Sequence, residues 1–202
     1  MSSTRLLPLA LTGLALLWLA MLLLGAGDVD RAILLALYAR DEPWLALGAK
    51  WLSDLGTWPT VLVITTLGAV WLLYRGKRSA ALTLLVASFS GRLLVILAKA
   101  YFARVRPEEN MRLVEVHYQS FPSGHAANSM IVYLGFALLA FDDPQHRRWA
   151  VAGALLLSFL IGFSRPMLGV HWPSDVVAGW AFGLFWTLLV VGLSSRWERR
   201  AK

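Results

Sequence analysis

Phe163 to Asp175 reads FSRPMLGVHWPSD, and apolar runs flank it on both sides, from Trp149 to Gly162 and from Val176 to Val191. A helix needs about 20 apolar residues to cross the hydrocarbon core of a bilayer, and these runs approach that length. Ionisable side chains are costly in a membrane, so those placed at its edge suggest a functional site by default. The Arg, the His and the Asp of this stretch are therefore the first candidate functional residues.

Composition places the chain among membrane proteins. It has 202 residues, of which 58% are hydrophobic. Six apolar stretches are candidate transmembrane helices: Leu6–Gly25, Pro59–Tyr74, Ala80–Ala98, Ala126–Phe141, Trp149–Phe163 and Val176–Ser194. We therefore predict an all-α polytopic membrane protein, residues 1–202 forming one integral membrane domain with six transmembrane helices.

The first of these stretches follows Arg5 and precedes small residues at 25–27, a pattern that signal peptides and membrane anchors share. Its apolar run exceeds the hydrophobic part of a usual signal peptide, so an uncleaved anchor is favoured. Cleavage would leave the sidedness of the remaining chain unchanged.

The positive charge of the chain is a topology signal. The formal net charge is +7, and most of the excess lies in short basic clusters beside apolar runs, as in cytoplasmic loops. With both termini inside, the inner segments carry 10 Lys and Arg against 3 acids, and the outer segments carry 8 against 9. We therefore predict a bacterial inner-membrane protein with cytoplasmic termini and a periplasmic or exterior active site. The same clustering argues against a nucleic-acid partner.

Residues 28–58 lie between the first two predicted spans. Their apolar residues recur at intervals of three and four, which predicts a short extracytoplasmic segment of amphipathic helices on the outer interface. These helices form either a lid or a wall along which lipid reaches the site, or they merely connect two spans. Both interpretations stay open.

Three outer segments hold most of the unusual polar residues. They are KAYFARVRP at 99–107, FPSGHAAN at 121–128 and the stretch at 163–175. Their cations repel one another unless an anion lies among them, and the planar fork of Arg suits phosphate oxygens. The second segment starts a helix, whose free N–H groups bind anions, and its glycine allows close approach of a ligand. The candidate phosphate-binding residues are Lys99, Arg106, Ser123, Gly124 and Arg165.

The candidate reactive groups are two histidines and an aspartate. His171 and Asp175 lie four residues apart at the start of the last predicted span. A carboxylate that accepts one ring N–H fixes the tautomer and leaves the other nitrogen as a nucleophile. His125 arrives from another helix and suits proton transfer to a leaving oxygen. Together they suffice for two-step phosphoryl transfer through a phosphohistidine, with a bell-shaped pH profile.

Each of these residues also has an ordinary structural explanation. Asp175 suits the first turn of a helix, Ser123 is a helix cap, and the cations suit interfacial positions from which long side chains reach water. Their occurrence in order on one predicted face favours function.

Three further arginines lie in or near these segments. Arg92 precedes Lys99 by seven residues on the same helix face. It either extends the positive region or is a structural charge bonded to a neighbouring helix, and the structural role is favoured. Arg104 and Arg112 are expected to attract anionic head groups.

The segments K-x6-RP, PSGH and SR-x5-H-x3-D resemble the three-part motif of the type 2 phosphatidic acid phosphatase superfamily, and no motif position departs from it. The resemblance implies that His171 is the nucleophile, Asp175 its partner and His125 the general acid and then base. It implies that Lys99, Arg106, Ser123, Gly124 and Arg165 hold the phosphate. It also implies an enzyme without metal or other cofactor, which agrees with the absence of a carboxylate cluster.

The resemblance favours a lipid phosphate substrate, with undecaprenyl pyrophosphate first and phosphatidylglycerophosphate or phosphatidic acid as alternatives. Three other classes stay open. An anion transporter or channel also places cations at a membrane mouth but has no need of the paired His and Asp. A lipid-binding protein without activity would keep the phosphate cradle. A metallohydrolase would use the same His and Asp residues as ligands and lose activity in chelator. The oligomeric state has no signal in the sequence.

Overall fold

The computed structural model describes residues 3–200, with the side chains of residues 6–198 and 200. This part of the chain is helical and contains no strand, so the predicted all-α class is confirmed. The helices are α1 Ser3–Leu24, α2 Asp28–Leu37, α3 Pro43–Asp54, α4 Trp58–Tyr74, α5 Arg78–Phe102, α6 Gly124–Ser129, α7 Gly135–Ala140, α8 Pro144–Met167 and α9 Pro173–Arg200. Lys202 and the side chains of Arg5 and Arg199, which count toward the predicted cytoplasmic charge, lie outside the described part.

Each of the six predicted spans coincides with a helical segment. Within residues 3–200, four helices are long and apolar enough to cross a membrane by themselves: Leu6–Leu24, Arg78–Phe102, Pro144–Met167 and Pro173–Glu198. Helices α3 and α4 qualify only as a pair, bent by 46°, and the segment Gly124–Ala140 is shorter. The number of six spans therefore stays a prediction.

The helix surfaces have the polarity of a protein that faces lipid. Large apolar side chains such as Leu9, Leu67 and Leu156 are more than 60% exposed, whereas hydroxyl groups lie inside the bundle. Thr65 and Ser88, for example, are both buried and their Oγ atoms are 3.1 Å apart. Exposed apolar surface on this scale needs an apolar environment.

Helix α8 begins before its apolar run because a polar side chain caps its start. Asp143 caps its first turn, accepting hydrogen bonds from the backbone N–H groups of Gln145 and His146 at 3.0 and 2.8 Å. Such a cap satisfies N–H groups that have no partner inside the helix. The helix that contains the predicted 15-residue span Trp149–Phe163 therefore starts at Pro144, and it is 24 residues long.

Helix α9 lies against α6 through two glycines. A Cβ at Gly179 would approach the carbonyl oxygen of Ser123 to 2.6 Å, and one at Gly183 that of Ala127 to 2.7 Å. Small residues at a helix interface allow this close approach. The segment at 121–128, where α6 begins, and the segment at 163–175, which leads into α9, are thus held together by close packing of the two helix backbones.

The segment at 28–58 forms α2, α3 and the start of α4. Helix α2 buries Asp30 and Leu34 and exposes Ile33 and Leu35. Asp30 accepts hydrogen bonds from the N–H and hydroxyl of Ser174 in α9. This contact places α2 at the end of the bundle where the motif segments meet.

Candidate active site

The three motif segments meet around one cavity of about 490 Å³. Lys99 comes from the last turn of α5, and Arg165 from the last turn of α8. Six of the eight predicted site residues line the cavity: Lys99, Arg106, Gly124, His125, Arg165 and His171. Ser123 and Asp175 are fully buried beside them. Side chains separated by up to 76 residues in sequence therefore surround one space.

Asp175 is a buried carboxylate with several hydrogen-bond donors. Its Oδ1 accepts from Nη1 of Arg104 at 2.8 Å, and its Oδ2 accepts from the hydroxyl of Ser120 and from the N–H of Trp172. The Nδ1 atom of His171 is 3.4 Å from the same Oδ2. A buried charge is tolerable when it is paired and hydrogen-bonded in this way.

The ring of His171 is oriented from both sides. Its Nε2 is 3.1 Å from Nη1 of Arg106, and its Nδ1 faces Asp175. Because a guanidinium only donates hydrogen bonds, Nε2 accepts and the proton of the neutral ring lies on Nδ1. Burial, and then the positive charge of Arg106, lower the pKa of His171 well below the ordinary histidine value. The neutral ring therefore carries its lone pair on Nε2, beside the guanidinium.

Lys99 and Arg106 are held by carbonyl groups of the loop before α6. Nζ of Lys99 donates to the carbonyls of Gln119 and Ser120 at 2.7 and 3.1 Å, so one of its three N–H groups has no partner among residues 3–200. Nε of Arg106 donates to the carbonyl of Tyr118. Burial lowers the pKa of Arg106 to about 10 although Asp175 raises it. The guanidinium therefore stays charged at neutral pH.

Two further predicted phosphate-binding residues have buried donors without a protein partner. Arg165 is 3% exposed and donates from Nη1 to the hydroxyl of Ser53, but its Nε has no partner among residues 3–200. The hydroxyl of Ser123 is fully buried and also without a partner in that range. Ser123 precedes α6 without capping it through its side chain. Since unpaired buried donors cost free energy, both atoms suit an anionic ligand.

Gly124 leaves room on the cavity side of α6. A Cβ at this position would lie 3.8 Å from Cε of Lys99 and from Val95, at ordinary contact distance. Helix packing therefore does not require a glycine here, in contrast to Gly179. A side chain would instead occupy space beside the ammonium group of Lys99.

Arg104 does not face head groups as expected from the sequence. It pairs with Asp175, and its Nη2 donates to the carbonyls of Met21 and Leu22 at 3.0 and 2.7 Å. Its guanidinium also lies over the ring of Phe121 at 4.3 Å. The other expected head-group residue, Arg112, donates to the carbonyl of Pro107.

Sequence reasoning also missed Ser120, Asp30 and Ser53, which support Asp175, Ser174 and Arg165 respectively. The only available signal was that Asp30 and Ser53 lie in the amphipathic segment expected on the same face as the motifs.

Arg92 is only partly the structural charge that was favoured. Its guanidinium lies over the ring of Trp58 in α4, 3.8 Å from the centroid, and it lines the same cavity as Lys99. The neighbouring helix thus offers Arg92 an aromatic face. No hydrogen bond or salt bridge joins the two helices through Arg92 within the described residues.

Comparison with known proteins gives a consistent assignment. The PAP2 superfamily model matches residues 79–199. Phosphatidylglycerophosphatase B of Bacillus subtilis (strain 168) is 32% identical over 177 residues, which cover 85% of this chain and 86% of that protein. The undecaprenyl-diphosphatase of Sulfolobus acidocaldarius is 30% identical over 135 residues, covering 63% of this chain and 61% of that protein.

A solved structure agrees with these relatives. The crystal structure described as the first transmembrane PAP2 type phosphatidylglycerolphosphate phosphatase, from Bacillus subtilis, matches with a TM-score of 0.83 at 30% identity, over 92% of this chain and 96% of that one. The chain therefore belongs to the PAP2 superfamily. The predicted family and the predicted enzyme class, a lipid phosphatase, are confirmed.

Proposed function

We propose that this protein removes the terminal phosphate of a membrane lipid through a phosphohistidine on His171. The observation that carries the proposal is the position of His171 between Asp175 on its Nδ1 side and Arg106 on its Nε2 side. A phosphate whose oxygens replace Nε2 as the acceptor of the Arg106 N–H would have its phosphorus close to the lone pair. The contact that binds the phosphate would then also bring its phosphorus to the nucleophile.

The first step forms a P–N bond and breaks a P–O bond. Nε2 of His171 attacks the terminal phosphorus while the proton on Nδ1 stays directed at Asp175, which stabilises the positive ring. The electron pair of the breaking bond goes to the oxygen of the departing lipid, and His125 gives that oxygen a proton. The product is a lipid alcohol from a monoester, or a lipid monophosphate from a pyrophosphate.

The second step uses the same groups in reverse. His125, now neutral, takes a proton from water, whose oxygen attacks phosphorus as the P–N bond breaks. His171 recovers its lone pair, and inorganic phosphate leaves. Lys99, Arg106 and Arg165, with the hydroxyl of Ser123 and the N–H groups at Gly124, would balance the charge on the phosphate oxygens in both steps.

The walls of the cavity suit a lipid rather than a soluble phosphate ester. Beyond the cations, the cavity is lined by apolar side chains of α4 and α5, among them Trp58, Val95 and Ile96. We place phosphatidylglycerophosphate first among substrates, because the relative named for it aligns over most of both chains. Undecaprenyl pyrophosphate, the first expectation from the sequence, is second and is supported by the Sulfolobus relative.

The predicted topology completes the proposal. The charge distribution favours cytoplasmic termini, and with this orientation the cavity would open toward the outer face of a bacterial inner membrane. A single cysteine introduced at exposed Glu109 in the chain, which has none of its own, should react with a membrane-impermeant maleimide in intact spheroplasts. One introduced at exposed Arg148 should react only after lysis.

The direct test is phosphate release in detergent with EDTA present. The lipids are phosphatidylglycerophosphate, phosphatidic acid and a prenyl pyrophosphate. The variants are His171→Ala and, as a matched control, His146→Ala, whose side chain is 77% exposed in the first turn of α8. Activity in wild type and control that vanishes in His171→Ala supports the proposal. Activity lost in EDTA and restored by a divalent ion would favour the metallohydrolase, and no release from any lipid would favour a binding or transport protein.

A further inference from the structure

We propose that Arg92 and Trp58 form a second anion subsite, which binds the lipid-proximal phosphate of a substrate that carries two phosphorus groups. This inference rests on the proposed function and narrows its substrate class. The structural observation is a guanidinium that lines the cavity and lies 3.8 Å from the centroid of the Trp58 ring. Its four neighbouring cations in the cavity are Lys50, Lys99, Arg106 and Arg165.

Arg92 differs from the cations of the catalytic end because none of its N–H donors has a hydrogen-bond partner among residues 3–200. Lys99, Arg106 and Arg165 each donate hydrogen bonds to protein oxygens. Within residues 3–200, Arg92 forms no hydrogen bond or salt bridge, and the two acids that line the cavity, Asp54 and Glu115, do not pair with it. A cation placed inside an apolar helix without a counter-ion is costly, and an anionic ligand would remove that cost.

Trp58 prepares the guanidinium for a phosphate. The five N–H donors of Arg lie in the plane of the group, so an aromatic ring below that plane fixes its orientation without using any donor. Trp58 is itself held by Phe89, with which it packs in a T-shaped arrangement with ring centroids 6.0 Å apart. The N–H groups at the edge of the guanidinium therefore remain available for a bidentate contact with phosphate oxygens.

The position of Arg92 identifies which phosphate it would bind. Arg92 precedes Lys99 by seven residues in α5, or about 10 Å along the helix axis, on the side away from the loops that hold His171. Val95 and Ile96 line the cavity between them. When the terminal phosphate is at His171, the part of the substrate that leads to its apolar tail passes Arg92.

Two lipid classes have an anionic phosphorus at this place. In a prenyl pyrophosphate, the second phosphate joins the terminal one to the chain. In phosphatidylglycerophosphate, a phosphodiester joins the glycerol phosphate to the diacylglycerol. A lipid monophosphate such as phosphatidic acid has none, so Arg92 would favour the first two classes over the third.

The test compares lipids that share a tail but differ by one phosphorus. We would measure kcat/KM for farnesyl pyrophosphate and farnesyl monophosphate, and for phosphatidylglycerophosphate and phosphatidic acid with the same acyl chains. The variants are Arg92→Gln, Arg92→Lys and the exposed control Arg148→Gln. Loss of a hydrogen-bonded charge contact corresponds to about a 10- to 100-fold effect, so Arg92→Gln should lower the ratio of two-phosphorus to one-phosphorus substrate by that factor.

This ratio does not depend on how much of a variant is folded, because both substrates are assayed on one preparation. Arg92→Lys keeps the charge without the planar fork and should give an intermediate ratio, while Arg148→Gln should leave it unchanged. An unchanged ratio in Arg92→Gln, whether or not activity falls, would overturn the subsite.

A binding measurement separates this result from failure of the proposed function. Calorimetry would compare methylenediphosphonate with methylphosphonate on wild type and Arg92→Gln. If no lipid is hydrolysed by wild type, the proposed function fails, yet selective weakening of the diphosphonate by Arg92→Gln would still support the subsite. Equal weakening of both ligands, or of neither, would overturn it.

Discussion

Nη1 of Arg104 donates a hydrogen bond of 2.8 Å to Oδ1 of Asp175, which is fully buried, while the side chain of Arg104 is 10% exposed. Nη2 of Arg104 donates hydrogen bonds to the carbonyl groups of Met21 and Leu22 in the last turn of α1. The aspartate expected to orient His171 is thus positioned by an arginine that is bound to the first helix.

Arg104→Met should impair both folding and catalysis. It leaves the buried Asp175 charge without its cation, a loss that typically costs about 3–5 kcal/mol. We expect a large drop in apparent melting temperature and a fall in kcat, measured on detergent-purified protein. The double variant Arg104→Met/Asp175→Asn removes both charges and should recover stability but not turnover. Recovery of turnover in the double variant would contradict a role for this pair in positioning His171.

Ser123→Ala should separate catalysis from stability. The hydroxyl is buried and has no partner among residues 3–200, so its removal should leave the melting temperature equal or higher. If the hydroxyl binds the phosphate, kcat/KM should fall by about 10-fold, the effect of one lost hydrogen bond of about 1.4 kcal/mol. Ser120→Ala is the useful contrast, since that hydroxyl donates to Asp175 and its loss should lower both quantities. Unchanged activity in Ser123→Ala would remove Ser123 from the phosphate site.

Asp30→Asn should weaken the start of α9. The carboxylate accepts from the backbone N–H of Ala26 and Ser174 and from the Ser174 hydroxyl. Hydrogen bonds to a charged acceptor contribute about 1.5–3 kcal/mol each, so a measurable fall in melting temperature is expected. Asp28→Asn, on the exposed side of the same helix turn, is the matched control. Equal melting temperatures for the two variants would show that the Asp30 contact adds no stability.

The acid limb of the pH profile should lie below the ordinary histidine range. Burial lowers the pKa of His171, so the ring stays neutral and nucleophilic at pH values where a free histidine, with a pKa of about 6.5, is protonated. The acid limb reports an ionisation of the enzyme, and not of the substrate phosphate, if it persists when a monoester substrate is exchanged for a pyrophosphate. A limb at or above pH 7 in both substrates would contradict a neutral, buried nucleophile.

The stability of the folded protein should also fall as the pH becomes more acidic. Between the lowered pKa of His171 and about 6.5, the unfolded chain binds a proton that the folded chain does not. The contribution of His171 to folding is therefore complete above this window and is lost as the pH falls through it. Thermal unfolding of wild type and His171→Ala between pH 5 and 8 measures this contribution, and the fall in melting temperature on acidification should be smaller in the variant than in wild type.

The sequence predicted the residue types of the site because motif spacing and apolar runs are local patterns. His125, His171 and Lys99 come together because three apolar runs end at the same face of the bundle, and that much follows from counting spans. Their chemical roles stay predictions. The orientation of His171 by Arg106 did not follow from the sequence, since it depends on how the loop at 103–123 folds back over the cavity.

Arg104 was misassigned for a related reason. Its partners Asp175 and Met21 are 71 and 83 residues away in sequence, and no local pattern distinguishes an arginine that turns inward from one that faces head groups. The predicted ends of α8 were wrong for a similar reason. Helix α8 begins before its apolar run because Asp143 caps it upstream of four polar residues, Gln145 to Arg148, and hydropathy alone does not register a cap.

Asp30 and the carbonyls of Met21 and Leu22 lie before residue 79, where the matched PAP2 region begins. The minimal transplantable catalytic module is therefore larger than the region that defines the family. A chimera that joins residues 79–199 to a foreign amino-terminal segment in place of α1 to α4 would inherit every motif residue and still lack the carbonyl groups that bind Arg104. Compatibility between the two parts of such a hybrid would depend on Asp30, on the end of α1 that binds Arg104, and on Ser53, which accepts a hydrogen bond from Arg165.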